Sequence, residues 1–193
     1  MPPPHGGHRS APFALIRESA APLIQILPLS AAHLPAIESL LDARFGPARR
    51  NRTAYRLRDG VDGLPALSFV AMDGEALVGS VQCWPLAITG PDGARLPLVL
   101  LGPVAVAADR EGQGIGQALM QAALAAADAA GAPPVLLIGD APYYGRFGFA
   151  ADATAGWQVP GPVDRARLLL RGPAHGLPAI GWLGPGQNAR AAA

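Results

Sequence analysis

The chain of 193 residues has the length of a single domain; half of its residues are hydrophobic and 15% are charged. This composition supplies enough apolar surface for a sizeable core, so it excludes disorder of the chain as a whole. A formal net charge of +1 argues against general binding to nucleic acids, which requires a strongly basic face, and no nucleic-acid partner is expected.

The N-terminal half of the sequence predicts a helix and four strands. Residues 1–20, rich in Pro, Gly and His, predict a flexible leader, and a single domain is expected over residues 21–172. Ser30 is a candidate N-cap for the helix. The turn signals Asp73-Gly74 and Pro91-Asp92-Gly93 join three of the strands in antiparallel order. The expected elements are a strand at 23–27, a helix at 31–44, and strands at 67–72, 76–84 and 94–106.

Five arginines lie between residues 48 and 58, where the sequence predicts a second short helix. At helical spacing Arg49, Arg52 and Arg56 would share one face of that helix. Two interpretations are open. The arginines form either a solvated surface or an anion-attracting wall beside a substrate cleft.

Gly102 and Pro103 interrupt the last of these strands. A glycine within a strand favours a bulge, and proline lacks the amide donor that a strand ladder needs. We therefore expect the strand to separate from its neighbour at this point.

The C-terminal half predicts a helix over 114–130, ended by Gly131 and followed by a buried strand at 135–138. A right-handed crossover would make this strand parallel to the strand before the helix. Further strands are expected at 157–159 and 165–171, and residues 173–193 are expected to be irregular. The predicted fold class is α+β, with a mixed sheet. The apolar stripe of the helix is expected to comprise Ile115, Ala118, Leu119, Ala122, Ala123 and Ala126.

Three glycines, Gly112, Gly114 and Gly116, lie where a strand gives way to this helix. Exposed N–H groups at the positive end of a helix favour a phosphorylated ligand. A dinucleotide site is one interpretation, but position 117 is Gln where the G-x-G-x-x-G fingerprint requires glycine. The first glycine also lies six residues beyond Val106, whereas that fingerprint turns tightly off its strand.

Three segments carry a resemblance to a known family: Leu-Leu-Gly-Pro-Val-Ala-Val at 100–106, residues 110–116, and Tyr-Tyr-Gly-Arg-Phe-Gly-Phe at 143–149. The chain resembles the GNAT superfamily of acyl-CoA-dependent N-acetyltransferases, and in particular the bacterial predicted acetyltransferases with a Tyr-Tyr-x-Arg-Phe-Gly-Phe run. The likeness covers roughly residues 23–171. It implies a mostly antiparallel central sheet with a splayed parallel pair of strands and helices on both faces.

The resemblance implies acetyl-CoA as co-substrate. No metal is expected, because His5 and His8 lack partners at a useful spacing. In this family the pantetheine arm pairs with the strand after the break and the diphosphate lies on the glycine loop. Glu111 stands where the family motif has Gln or Arg, and this departure weakens the role of that side chain. The implied binding residues are Val104, Ala105, Val106, Glu111, Gly112, Gln113, Gly114, Ile115, Gly116, Gln117 and Phe147.

The same resemblance puts Tyr144 in the place of the acid that protonates the departing thiolate. A tyrosine suits this task because its pKa of about 10 keeps it protonated at neutral pH; the alternative is an aromatic ring that only packs. The base is not identified by the resemblance. Asp140, at the end of a strand near the expected reaction centre, is one candidate, and the alternative is that it caps the following turn.

The expected function is transfer of an acetyl group from acetyl-CoA to a primary amine, on a small molecule or a protein, by direct attack in a ternary complex. The alternatives are a non-catalytic acyl-CoA-binding sensor and a nicotinamide-dependent enzyme. A cytoplasmic location is expected because Cys83 has no disulfide partner, and no membrane partner is expected because no apolar run approaches the roughly 18 residues of a spanning helix. A homodimer is compatible with the sequence, since Trp157 and Trp182 fit either a core or an interface.

Overall fold

The computed structural model describes residues 24–187. The predicted leader at 1–20 and the first residue of the strand predicted at 23–27 lie outside the described residues. The elements are β1 (Gln25–Pro28), α1 (Leu34–Phe45), α2 (Thr53–Arg56), β2 (Phe69–Asp73), β3 (Ala76–Thr89), β4 (Arg95–Val106), α3 (Ile115–Ala129), β5 (Val135–Ile138), α4 (Ala141–Tyr144), β6 (Gly156–Gln158), β7 (Leu168–Arg171) and β8 (Ile180–Pro185).

A mixed sheet organises the protein in the strand order β1-β2-β3-β4-β5-β7. Neighbours in this order are antiparallel except β4 and β5, which are parallel. β8 pairs with the far end of β3 and runs parallel to β6. The predicted α+β class, the antiparallel order of β2 to β4 and the parallel crossover through α3 are confirmed.

Helices cover both faces of the sheet, as expected. α3 packs on one face over β2, β3 and β4, and α1 packs on the other face over β3 and β4. The α3 stripe is rotated from the predicted one, because Met120, Leu124 and Ala127 are buried while Ala118, Ala122 and Ala126 are only half-buried. Among residues 24–187, no helix is long and apolar enough to cross a membrane.

Two predictions of local structure are wrong. The first is the expectation that residues 173–193 are largely irregular, which fails at residues 180–185, where β8 forms, whereas residues 173–179 contain no helix or strand. This strand occupies the edge of β3 at Leu86–Thr89, beyond the last residue of β3 that pairs with β2. The edge would otherwise leave main-chain groups of β3 unpaired.

The second is the single helix over 48–58. Pro47–Asn51 forms a 3-10 turn, Arg52 is extended with φ −72° and ψ 150°, and α2 then spans only four residues. Arg49, Arg52 and Arg56 therefore do not share a helical face. The ion-pair partners of Arg49, Glu38 and Asp42, lie in α1 and hold the 3-10 turn against that helix.

Candidate active site

β4 and β5 run side by side only at their starts and then separate. Their parallel pairing comprises two residue pairs, of which Leu100 opposite Leu136 is the last. Gly102 follows with φ +134°, a conformation that favours glycine, and the β3–β4 register shifts alongside it. The separation predicted from Gly102 and Pro103 is confirmed, and it leaves a gap between the two strands.

Beyond the break, the main chain of β4 faces β3 and the gap alternately. The N–H of Ala107 donates to the Val78 carbonyl of β3 at 2.8 Å. Because successive residues of a strand direct their N–H and C=O groups to opposite edges, Ala105 also faces β3, whereas Val104 and Val106 face the gap. Of the three residues predicted to pair with a ligand through the main chain, the geometry leaves Val104 and Val106 available.

The loop after β4 brings the predicted glycines to the start of α3. Gly112 and Gly114 both have φ +77°, and Gly114 is the N-cap of the helix. The helical ladder begins with the N–H of Ala118, which donates to the Gly114 carbonyl at 3.0 Å. Within the described chain, the N–H groups of residues 112–117 donate to no backbone carbonyl. They lie at the positive end of a 15-residue helix, where an anion would be stabilised.

Two further predicted binding residues already have partners in the protein. Glu111 forms an ion pair with Arg44 in the last turn of α1, so it ties the glycine loop to that helix. Phe147 packs against the apolar cluster under α3, and its ring meets the Tyr143 ring edge-on at a centroid distance of 5.9 Å. Neither Glu111 nor Phe147 lines the cleft described below.

Tyr144 lies at the end of α4 against the main chain of Gly139. A Cβ atom on Gly139 would stand 2.1 Å from the Tyr144 ring, so only glycine allows this contact. Burial raises the pKa of Tyr144 to about 12; the charges of Tyr143 and Asp140 act in the same direction and Arg167 opposes them. The hydroxyl is therefore protonated at neutral pH.

Asp140 immediately precedes α4 and lines the cleft. Its main-chain carbonyl accepts hydrogen bonds from the N–H groups of Tyr143 and Tyr144, both at 3.0 Å, while its carboxylate makes no cap hydrogen bond. The carboxylate is 72% exposed and stands 3.3 Å from the Arg167 guanidinium. Asp140 is thus the N-cap residue of α4, as the capping alternative expected, but the cap is made by its main-chain carbonyl and not by its side chain.

A cleft of about 790 Å³ opens where β4 and β5 separate. Its walls are the end of β5 with α4, residues 100–104 of β4, the segment 45–58, and the loop 162–167. The last two walls are joined by a hydrogen bond from Thr53 to the Pro162 carbonyl at 2.7 Å, and Arg56 donates to the carbonyl of Pro160, just before that loop, at 3.1 Å. Among residues 24–187, no three His, Cys, Asp or Glu side chains form a group that could hold a metal ion.

Arg49 serves as an internal anchor. It is 1% exposed, donates to Asp42 at 2.7 Å, and forms further polar contacts with Glu38 and Tyr55. Burial acts to lower the pKa of Arg49, but the hydrogen bonds to Asp42 and Glu38 outweigh it, so the pKa is raised. Arg49 thus fixes the segment after α1 to that helix.

The other two predicted arginines differ from each other. Arg52 lies over the Phe45 ring at 5.5 Å and lines the cleft. Arg56 donates a hydrogen bond to the Pro160 carbonyl and does not line the cleft. Of the three arginines that were grouped by helical spacing, two therefore reach the cleft wall.

Arg58 was not singled out by that spacing, yet it is the most buried arginine of the cleft wall after Arg49. It is 9% exposed, and its guanidinium lies 3.8 Å from the centre of the Tyr55 ring and 4.5 Å from that of Trp84. Its Nη1 is buried and has no hydrogen-bond partner in the described part of the chain. Burial lowers the pKa of Arg58 to about 10, with Glu38 opposing this change. In the sequence, Tyr55 lies three residues before Arg58, a spacing at which two side chains on a helix are neighbours, and this spacing could have indicated the contact.

A model of a known protein family matches most of the chain that forms this site. The family model described as "Acetyltransferase (GNAT) domain" matches residues 25–151, more than half of the chain. The chain belongs to the GNAT acetyltransferase family. The GNAT match runs from β1 past α4, so it contains the gap, the glycine loop and the Tyr-Tyr-x-Arg-Phe-Gly-Phe run, and it confirms the resemblance based on motifs.

Individual GNAT proteins are similar over different lengths. The uncharacterized N-acetyltransferase YhbS of Escherichia coli K12 is 33% identical over 116 residues, which span 60% of this chain and 66% of that protein. The crystal structure of E. coli YhbS in complex with CoA has a TM-score of 0.68 at 24% identity, covering 92% of this chain and 93% of that chain. A GNAT acetyltransferase of Brucella melitensis in complex with acetyl-CoA has a TM-score of 0.53 at 28% identity, covering 79% and 98%.

Proposed function

We propose that the protein is an N-acetyltransferase that transfers an acetyl group from acetyl-CoA to a primary amine by direct attack in a ternary complex. The observation that carries this proposal is the gap beside β4, where Val104 and Val106 direct their main-chain groups to an unpaired edge. The pantetheine arm carries amides that can pair with such an edge as an added strand does. The acetyl-CoA complex of the Brucella GNAT protein supports this assignment.

The residues around the gap fit the remaining parts of the co-substrate. The N–H groups of residues 112–117 fit a diphosphate, because they lack backbone acceptors and stand at a helix N-terminus. Phe147 packs against the apolar cluster that contains Ile115, the first residue of α3. Ala105 contributes through packing in the cluster under α1, and Glu111 through its ion pair with Arg44, rather than by direct bonds to the co-substrate. When bound, acetyl-CoA supplies an activated acetyl thioester.

The protein's own groups account for the movement of charge and protons. The N–H of Val104 donates to the thioester carbonyl oxygen and stabilises the negative charge that develops there. As the C–N bond forms and the C–S bond breaks, Tyr144 gives its proton to the departing sulfur, and the proton that the attacking nitrogen then loses on becoming an amide restores the Tyr144 hydroxyl. An alkyl ammonium with a pKa of about 10 is only about one part in a thousand free base at neutral pH, so a group must remove its proton. We assign this to Asp140, directly or through water.

The test is CoA release from acetyl-CoA by the purified full chain with a panel of amines, followed with a thiol reagent. Tyr144→Phe should slow turnover by roughly a hundredfold or more with near-normal acetyl-CoA affinity, because only proton donation is lost. Tyr143→Phe is the matched control, and it should retain turnover. Acetyl-CoA binding without CoA release from any amine would favour a non-catalytic sensor. Turnover by Tyr144→Phe equal to that of the wild type would remove Tyr144 from this role.

A further inference from the structure

The cleft wall holds a deeply buried cation, Arg58, which no carboxylate of residues 24–187 approaches closely enough to form an ion pair, although the charge of Glu38 acts on it from a greater distance. Arg58 is about nine-tenths buried, the remainder of its side chain lines the cleft, and its Nη1 has no hydrogen-bond partner among the described residues. Its guanidinium is instead supported by the rings of Tyr55 and Trp84.

The other cations of the cleft wall are held by partners within the protein. Arg49 is bound to the carboxylates of α1, Arg167 lies 3.3 Å from Asp140, and Arg52 stacks on Phe45. The charges of Arg49 and Arg167 are met by carboxylates, whereas Arg52 is exposed to solvent and donates to the Phe45 carbonyl at 3.4 Å. Arg58 is therefore the cation of this wall that is best placed to receive an anion.

The carboxylates of the cleft wall do not provide that anion. Asp140 pairs with Arg167, and Asp164 accepts the N–H of Ala166 at 3.0 Å; neither forms an ion pair with Arg58. A buried charge without a partner is destabilising, and burial also strengthens its attraction for an incoming anion. Because the pKa of Arg58 is about 10, the side chain keeps its charge at neutral pH.

Arg58 is connected to the proposed reaction centre through the side chain of Trp84. Its guanidinium lies over the Trp84 ring, and the Nε1 of Trp84 donates to the Gly102 carbonyl at 2.9 Å. Gly102 is two residues from Val104, whose N–H faces the gap. Arg58 and Val104 both line the cleft, so an anion at Arg58 and an amine that attacks beside Val104 would occupy the same cavity.

We infer that Arg58 binds a carboxylate of the acceptor, so that the acceptor is a small amine that also carries a carboxylate, as an amino acid does. The inference rests on the proposed N-acetyltransferase function. A planar guanidinium suits this task because it can present two parallel N–H donors to the two oxygens of a carboxylate.

The test compares amines that differ only in a carboxylate: glycine with methylamine, γ-aminobutyrate with propylamine, and phenylalanine with phenethylamine. Steady-state CoA release gives kcat and KM for each pair. One charge-assisted hydrogen bond changes binding by roughly tenfold or more, so the wild type should prefer at least one carboxylated member by that factor in kcat/KM. Arg58→Met should abolish the preference, mainly by raising KM for the carboxylated amine.

Two further variants separate binding from general damage. Arg58→Lys keeps the charge without the planar fork and should retain part of the preference. Arg165→Met removes the same charge from an exposed position of the neighbouring loop, outside the cleft wall, and should leave the preference unchanged. Acetyl-CoA affinity, measured by calorimetry on each variant, reports whether the fold is intact. If Arg58→Met does not fold, the preference for the carboxylated amine is compared between the wild type and Arg58→Lys.

The outcomes distinguish this inference from the proposed function. Release of CoA with equal preference for both members of every pair, or a preference that survives in both Arg58 variants, would overturn the role of Arg58 and leave the transferase intact. Preference for O-phosphoethanolamine over every carboxylated amine would also overturn it. If no amine is acetylated, calorimetric titration of the amino acids in the presence of CoA decides the matter: binding lost in Arg58→Met supports the inference, and no binding contradicts it.

Discussion

The contact between Gly139 and Tyr144 allows a test of the proposed acid without removing its hydroxyl. A Cβ atom at position 139 would lie 2.1 Å and 2.6 Å from two carbons of the Tyr144 ring. Ordinary contacts begin near 3.4 Å, so in Gly139→Ala the ring must move back by about 1.3 Å. The main chain of Gly139 has little freedom to yield, because its N–H donates to the Arg167 carbonyl at 2.8 Å.

The expected effects of Gly139→Ala on stability and on rate are separate. Overpacking of this kind destabilises a protein by about 1–3 kcal/mol. Displacement of a catalytic group by about 1 Å lowers a rate by up to roughly a hundredfold, so kcat should fall by about ten- to a hundredfold while acetyl-CoA affinity is preserved. The affinity should hold because the groups assigned to the co-substrate lie on β4 and the glycine loop.

The assay is steady-state CoA release in the wild-type and Tyr144→Phe backgrounds. Gly139→Ala should lower kcat in the first background and have little effect in the second, where the proton donor is already absent. Gly145→Ala is the matched control, since its φ of −57° accepts alanine and a Cβ there would meet nothing within 4 Å. An unchanged kcat in Gly139→Ala, or an equal fall in both backgrounds, would refute the claim that kcat depends on the position of the Tyr144 ring.

Three further predictions follow from the pKa values and ion pairs. Because the pKa of Tyr144 is about 12, its hydroxyl stays protonated as pH rises, so kcat/KM for an amine without a carboxylate, whose binding does not use Arg58, should show no alkaline decline up to pH 10; a decline between pH 8 and 10 that Tyr144→Phe removes would contradict this. Burial raises the pKa of the Cys83 thiol to about 12, so this thiol should not react with Ellman's reagent until the protein is unfolded in urea, and rapid reaction of the folded protein would disprove its burial. The hydrogen bond from Arg171 lowers the pKa of Asp128, so the pair stabilises the fold above the ordinary carboxyl pKa and this contribution is lost as pH falls through the lowered value. Asp128→Asn should therefore cost about 0.5 kcal/mol of unfolding free energy at pH 7, solvent screening included, and less at pH 2; urea unfolding at the two pH values measures it, and an equal cost at both would contradict the assignment.

The part of the site that follows from local chemistry could be predicted from the sequence. Gly102 and Pro103 disfavour a continuous ladder wherever the strand lies, and the strand does part from β5 there. The glycine loop lies at the start of α3 because glycine accepts the left-handed conformation that Gly112 and Gly114 adopt. The gap and the helix N-terminus are thus encoded by short segments.

The part that depends on distant partners could not be predicted. β8 forms because it pairs with a vacant edge of β3, which lies far earlier in the chain. The sequence of residues 180–185 contains no local pattern that indicates this edge. The arginines were grouped by helical spacing, but Arg49 is drawn to the carboxylates of α1 and Arg58 to the ring of Trp84. Burial of a charged side chain is set by such tertiary contacts, so Arg58 resembles a solvated arginine in the sequence.

The central claim is that the gap beside β4 and the start of α3 together hold acetyl-CoA. Calorimetric titration of the full chain with acetyl-CoA, and in parallel with NADH, tests it most directly. We predict saturable one-to-one binding of acetyl-CoA and no binding of NADH. Absence of acetyl-CoA binding at millimolar concentration, or tighter binding of NADH, would contradict the account.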